Sequence, residues 1–445
     1  MADSPQPPAV QPAVLPHKEV DVPAAAADAA AATKGQNITP WDVQGEVLED
    51  GKVAAIDYDK LINQFGTKRI SPELLERFEK VTGHRPHVLL RRSMFFSHRD
   101  FERILDRYEA GKPFFLYTGR GPSSDSMHLG HMIPFQFTKW LQDVFDVPLV
   151  IMLTDDEKFL FKQQLTIPDV KKFTRQNAAD IIAVGFDVKK TFIFSDFDFM
   201  GGAFYENVVK VSRCITTNQA KSTFGFTDAD NIGKLHFASI QASTSFATTF
   251  PHIFGTHSSV RDIPALIPCA IDQDPYFRLC RDVAQRLKYQ KPSLIHSQFF
   301  PALGGPGSKM SASIDSSAIF MSDTANQIKK KINRYAFSGG QETAEEHRRL
   351  GGNPDVDVPF QFLSFFLDDD EELETLRTTY KSGELLTGEM KQRCIAVLQE
   401  YVGGFQARRK QVTPQMIDEF MDCKRPLVWV QGKKEEKKVE VEVRN

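Results

Sequence analysis

The sequence predicts an α/β protein: a parallel sheet covered by helices on both faces, carrying a helical insertion and followed by an all-α domain. Three observations predict it. Short continuous apolar runs (KPFFLYTG, VPLVIML, TFIFSDF, ALIPCAI, PSLIHSQFF) recur between stretches of helical period. Such runs read as strands buried on both faces, joined as βαβ units. The text from about Gly201 to Phe254 breaks that rhythm with mostly helical sequence, and from Asp323 onward no strand-like run remains.

Taken in order, residues 1–37 are rich in Pro and Ala and have little to bury, so they read as a disordered extension. Residues 38–72 begin with an N-terminal element. There Glu49-Asp50-Gly51-Lys52 separates two apolar-bearing runs and predicts a short hairpin spanning Trp41 to Asp57. Residues 59–110 read as helical, with Pro72 and Pro86 as interruptions. The sheet domain is placed at 73–322, with the insertion at 201–254, the helical domain at 323–430 and a charged tail at 431–445.

Composition narrows the classes. The 445 residues are 41% apolar and 25% charged, with a formal net charge of -3. That is ordinary globular usage and excludes a wholly disordered, collagen-like or coiled-coil chain. No run approaches the roughly 18 apolar residues of a membrane span, so no membrane partner is expected. A whole-chain basic footprint is absent, and any nucleic acid must be met by local patches. Cys214, Cys269, Cys280, Cys394 and Cys423 form no CxxC and no paired zinc-ligand spacing, which predicts a reducing compartment and no structural metal. The N-terminus carries Asp3, Glu19, Asp21 and Asp28 with no Arg before Arg69, unlike a secretory or mitochondrial leader, so a cytoplasmic location is expected.

Two segments carry chemistry. Tyr117-Thr118-Gly119-Arg120-Gly121 ends a strand and leads through a Gly- and Ser-bearing loop into His128-Leu129-Gly130-His131, the start of a helix. Histidines three apart share a helix face, and a first helical turn offers free N–H groups and the positive dipole end to a phosphate. Gly130 removes a side chain where a nucleotide would press on the backbone. A lone HxxH reads more readily as ordinary histidines; the strand and glycine loop before it favour the nucleotide reading. The second segment is Gly304-Gly305-Pro306-Gly307-Ser308-Lys309-Met310-Ser311-Ala312-Ser313. It delivers an ammonium and hydroxyls on flexible glycines, suited to closing over a triphosphate. Alone it reads as a solvated loop. The pair also fits a nucleotidyltransferase that makes an adenylate without tRNA, although that leaves the helical domain unused.

HLGH resembles the HIGH motif and KMSAS the KMSKS motif of the class I aminoacyl-tRNA synthetases, in matching order and separation. Within that class the chain is similar to the eukaryotic cytoplasmic tryptophanyl family. The likeness is carried by YTGRGPSS, FTKWLQDVFDVPLVI, LTDDEKFLFK, CAIDQDPYFR, FFPALGG, NRYAFSGGQ, GGNPDVDVPFQFLSFFLDDD and LLTGEMK, from about Thr39 to Leu427. AIDQDPYFR separates it from the related tyrosyl enzymes, whose text differs there.

The resemblance implies a Rossmann-like catalytic domain and a helical anticodon-binding domain. It implies activation of L-tryptophan with ATP, accompanied by Mg²⁺ that the triphosphate holds, and transfer to tRNA(Trp). It also implies a homodimer. It assigns His128, His131, Lys309 and Arg120 to catalysis. ATP would meet Gly119, Arg120, Gly130, Thr154, Lys158, Gln273, Lys309, Met310, Ser311 and Ser313. Tryptophan would meet Tyr117, Met152, Glu157, Gln241, Gln273 and Phe277, with Glu157 on the ammonium, Tyr117 on the indole N–H and Phe277 as an aromatic wall. Asp155 and Asp156 suggest a metal site, but a structural or capping role is expected for at least one of them. Met152 departs from the polar residue the family places there, and a thioether is a weak acceptor. Ala312 stands where the general motif has a second Lys. Lys329, Lys330, Lys331 and Arg334 make a basic cluster on the helical domain, either a tRNA contact or a solvated face.

Overall fold

The computed structural model describes residues 36–39, 43–46, 54–310 and 315–428, without the side chains of 306–309 and 315. Residues 1–35 of the predicted extension, the Asp50-Gly51 turn, Trp41, the Lys309 side chain, Ser311, Ser313 and the charged tail lie outside the described residues, and the end of the extension is corrected, since Asn37 starts a strand. The strands are β1 (Asn37–Ile38), β2 (Val43–Gln44), β3 (Lys68–Arg69), β4 (Phe95–Arg99), β5 (Phe115–Arg120) and β6 (Leu149–Leu153). They continue with β7 (Thr191–Ser195), β8 (Ala265–Ala270), β9 (Ser293–Ser297), β10 (Pro301–Ala302) and β11 (Gly305–Lys309).

The main sheet has the order β3-β4-β9-β8-β5-β6-β7. Its five strands from β9 to β7 are parallel, and β3 and β4 add an antiparallel edge. This corrects the all-helical reading of 59–110: that stretch holds β3 and β4 besides the helices Tyr58–Phe65, Pro72–Thr82, Val88–Arg91 and Phe101–Glu109. Pro72 opens its helix rather than interrupting one, with the Ser71 hydroxyl capping Leu74 N–H and Gly83 at φ 73° closing the other end. A small second sheet, in the order β1-β2-β11-β10, ties the N-terminal pair to the strand that ends at Lys309.

β5 is flanked by β6 on one side and β8 on the other, so the strand order reverses beside it. Ligands of open α/β sheets bind in the crevice at such a switch point. Alternation along the strands divides that crevice. Leu116, Leu149, Ile151 and Leu153 pack with Met132 and Ile133 of the helix Leu129–Phe145. Phe115, Tyr117, Val150 and Met152 face the opposite way, against Phe237 and Ile240 of the helix Ile232–Ser243. That helix belongs to the segment between β7 and β8, which also contains Gly202–Ser212 and Thr217–Phe224.

The C-terminal residues form the helices Ala325–Tyr335, Ala344–Leu350, Val358–Phe366, Asp370–Ser382, Thr387–Arg409 and Pro414–Met421. Arg92 fastens them to the sheet domain, donating to Asp370 Oδ1 at 2.8 Å and to the Leu367 carbonyl at 2.6 Å. On the first of these helices Lys331 is buried, bonded to Asp323 Oδ2 at 2.9 Å and the Ala318 carbonyl at 3.1 Å. The predicted basic cluster is corrected accordingly: Lys329, Lys330 and Arg334 are exposed, and Lys331 is turned inward. No helix among the described residues is long and apolar enough to cross a membrane. All five cysteines are free, four of them buried.

Candidate active site

A cavity of about 360 Å³ opens at the carboxyl ends of β5 and β8. Its walls bring together Tyr117, Gly119, Arg120, His128, Gly130, His131, Thr154, Glu157, Lys158, Gln241, Gln273, Phe277 and Met310, residues far apart in sequence. Met152 is absent from the wall; it is fully buried behind Tyr117.

On one side of the sheet stand the cations. His128 sits at the N-cap of the helix Leu129–Phe145, one step before the first turn that its spacing suggests, and His131 is the third helical residue. Their rings stack, with centroids 3.4 Å apart, and the His128 N–H donates to His131 Nδ1 at 3.3 Å. Gly130 keeps this approach close: a Cβ would stand 3.3 Å from the His128 ring and 3.2 Å from Phe300 Cβ, tighter than ordinary contact. Arg120, at the end of β5, donates to Asn177 Oδ1 at 3.1 Å, and its Nη1 lies 3.1 Å from His131 Nε2. Its remaining Nη2 is buried without a hydrogen-bond partner among the described residues. Burial lowers the guanidinium to about 10, with Glu157 and Asp180 opposing that shift. A dianionic phosphate would satisfy the orphaned donor.

At the end of β6, Glu157 accepts from the Thr154 hydroxyl at 3.0 Å and from Lys158 Nζ at 2.9 Å. Gly121 makes room for that lysine, since a Cβ there would lie 1.9 Å from Lys158 Cε. Asp155 has the structural role expected of it. It accepts from the Ser195 hydroxyl, from Thr174 Oγ1 at 3.3 Å, and from the Asp156 and Phe197 N–H groups at 3.1 and 3.2 Å. With Asp156 and Asp196 it forms a buried carboxylate trio whose oxygens lie within 4.8 Å of one another. Burial raises Asp156 to about 6 and lifts Asp196 well above the usual carboxylate range, with Asp156 adding to the second shift.

On the other side of the sheet the cavity is aromatic. The Tyr117 and Phe277 rings meet edge to face, 6.0 Å apart. Gln241 donates to the Tyr117 oxygen at 2.7 Å. The phenol in turn donates to Met152 Sδ at 3.3 Å, and Thr244 Oγ1 donates to the same sulfur at 3.3 Å. Gln273 precedes the helix Asp274–Leu287. The base of that helix is fixed by Asp274, which takes Arg99 Nε at 2.7 Å and Nη2 at 2.8 Å and lies 3.1 Å from His296 Nε2. Desolvation opposes ionisation of Asp274, but its bonds to Arg99 and His296 outweigh it and hold the carboxyl well below its usual value. Sequence reasoning missed Thr244, Asp272 and Tyr276 here. Nothing local marks Thr244, whose partner Met152 lies 92 positions away.

A parallel sheet with its switch point at this cavity, a histidine pair on a helix start and a lysine-bearing strand beside it together define a nucleotide-binding enzyme of the class I synthetase type. Residues 109–403 match the family model "tRNA synthetases class I (W and Y)". The chain therefore belongs to that family, and within it to the tryptophan–tRNA ligases, as the following likenesses show. It is 67% identical over 394 residues to the cytoplasmic tryptophan–tRNA ligase of Schizosaccharomyces pombe, covering 88% of this chain and 99% of that protein. It is 58% identical to the cytoplasmic human ligase, over 86% of this chain and 80% of the relative. Among solved structures, a tryptophanyl-tRNA synthetase from Encephalitozoon cuniculi bound to tryptophan superposes with a TM-score of 0.76 at 44% identity, covering 83% of this chain and 99% of that one.

Proposed function

We propose that this cavity joins L-tryptophan to the adenylate of ATP and passes the aminoacyl group to tRNA(Trp). The observation that carries the reading is the division of one cavity by the sheet into an aromatic half and a cationic half, with Glu157 and Lys158 between them. A tryptophan carboxylate oxygen attacks the α-phosphorus, the bond from that phosphorus to the bridging oxygen breaks, and pyrophosphate leaves with the bond pair. The terminal ribose hydroxyl of the tRNA then attacks the aminoacyl carbonyl, and AMP departs.

Little covalent chemistry falls to the protein; it positions the reactants and stabilises growing negative charge. Arg120 Nη2, His128 and His131 face the phosphates. Lys309, in the strand paired to β2, meets the leaving pyrophosphate, with Met310, Ser311 and Ser313 completing the loop around ATP. Gly119, Gly130 and Thr154 let the nucleotide lie close to the backbone. Glu157 holds the substrate ammonium with Gln241 and Gln273. Lys158 occupies the Glu157 oxygens that the ammonium uses, so amino-acid binding releases Lys158 towards the phosphates. Mg²⁺ arrives as MgATP, bound mainly by the triphosphate.

The domain boundaries given by the sequence, with an anticodon reader at 323–430, a homodimer and a cytoplasmic site of action belong to the same reading. The relatives' cytoplasmic names support the site of action and the exposed Lys329, Lys330 and Arg334 support the tRNA-facing role, while the boundaries and the homodimer rest on the sequence resemblance. The test is charging of a tRNA(Trp) transcript beside a tRNA(Tyr) transcript. Tryptophan-dependent charging of the first alone supports the reading, and charging of tRNA(Tyr) with tyrosine overturns it.

A further inference from the structure

We propose that Met152 and Thr244 are specificity-determining positioning residues, which fix the Tyr117 hydroxyl proton on the Met152 sulfur so that the phenol oxygen meets the substrate ring as an acceptor. The inference deepens the tryptophan reading and rests on it.

Hydrogen-bond counting carries the argument. A phenol has one proton and two acceptor positions, whereas a thioether has no proton to give. Met152 and Thr244 are at 0% exposure and off the cavity wall, so water offers neither a partner, and Tyr117, at 1% exposure, meets solvent or ligand only through the cavity. The sulfur stands 3.3 Å from the Tyr117 oxygen and 3.3 Å from Thr244 Oγ1, so both hydroxyls point their protons at it. The Gln241 amide then fills one acceptor position of the phenol at 2.7 Å. One acceptor position remains, and Tyr117 lines the cavity. A ring N–H fits it. A ring atom without a proton leaves the phenol lone pair unmatched, and a buried unmatched polar group is costly.

Thr244 takes the second lone pair of the sulfur and so holds the thioether in one orientation. At Gly119 a Cβ would meet the Met152 side chain and the Tyr117 oxygen at ordinary contact distance, 3.7 and 4.0 Å, and press only on the Met152 carbonyl oxygen at 3.3 Å. The half of the cavity that selects the amino acid is thus set by two side chains, neither of which touches it.

The test compares L-tryptophan with β-(3-benzothienyl)alanine, in which sulfur replaces the ring N–H, in ATP–pyrophosphate exchange. The readout is the ratio of kcat/KM for the two. Met152→Leu keeps the volume and removes the acceptor; the freed phenol proton turns to the cavity, and the ratio falls about three- to tenfold, mainly through the tryptophan KM. Thr244→Val, of similar shape, lowers the ratio by a smaller factor. Met152→Gln restores it, because the amide oxygen accepts the same proton. The KM for ATP stays constant in all three and reports an intact fold. A Met152→Leu protein that loses activity equally on both amino acids, with the ratio unchanged, overturns the inference and leaves Met152 as packing. A wild-type protein without tryptophan-dependent exchange overturns the ligase reading itself.

Discussion

Replacing Arg99 by Met should reveal how the amino-acid half of the cavity is held. Arg99 donates two bonds to the Asp274 carboxylate and one each to the Phe65 and Gly66 carbonyls. Asp274 is fully buried, and His296 is its other partner. Without Arg99 the carboxylate is left in the core with the weaker partner, and breaking a buried ion pair from one side costs about 3–5 kcal/mol. Asp274→Asn removes the charge from the other side. In the double variant no buried carboxylate remains, so the two costs should fall short of additivity by about 2 kcal/mol or more. Urea unfolding at pH 7.5 measures each variant. The sign of the pH effect follows from the depressed native carboxyl: its stabilisation is present above the unfolded value near 4 and is lost as pH falls through the lower native value. Because Gln273 immediately precedes Asp274, the tryptophan KM should rise in the single variants. Additive costs, or an Arg99→Met penalty under about 1 kcal/mol, would refute the reasoning.

Four further outcomes are expected. Gly121→Ala should displace Lys158 both from Glu157 and from its approach to the phosphates, lowering kcat for tryptophan-dependent exchange ~10-fold, the scale of a charge-assisted bond, with no rise in the tryptophan KM and an unchanged far-UV circular dichroism spectrum. Asp156 and Asp196 titrate above their unfolded value, so the stability they contribute is full below pH about 4 and falls as pH rises through 6 and beyond. Asp196→Asn should therefore be more stable than wild type at pH 8, and the gain should vanish near pH 4.5; an equal gain at both would exclude the carboxylate pair as the cause. Reversing Lys329 and Lys330 to Glu should weaken tRNA charging and make its loss with salt shallower, because fewer phosphate contacts remain to be screened, while leaving exchange untouched. Lys331→Met, which strands the buried Asp323, should instead lower stability.

The parallel core was legible because β5 to β9 are nearly continuous apolar runs, the mark of strands covered on both faces. β4 was not, because its inner residues include Ser97 and His98, polar groups that are satisfied only by distant or turn partners. Ser97 bonds His296 at 3.0 Å, and His98 accepts from Phe101 N–H at 3.2 Å. The two-residue β3 is exposed and carries no pattern at all. Lys331 was legible in principle: it lies three residues after the buried Ile328 and beside the buried Ile332, on the inward stripe of its helix. The charge pattern alone hid that phase. In the cavity the glycines and spacing marked the histidine pair and Lys309, whereas Arg120, Lys158 and Glu157 were named by the family resemblance. The Met152–Thr244–Tyr117 contact arises only when the insertion helix lies across the sheet, and no local signal encodes it.

The measurement that tests the central claim most directly is ATP–pyrophosphate exchange without tRNA, run with tryptophan and tyrosine side by side. Exchange that depends on tryptophan and is absent with tyrosine is the result expected of a cavity built from Tyr117, Gln241, Phe277 and Glu157 beside a phosphate-binding helix start. Exchange with tyrosine, or with neither amino acid, would contradict it.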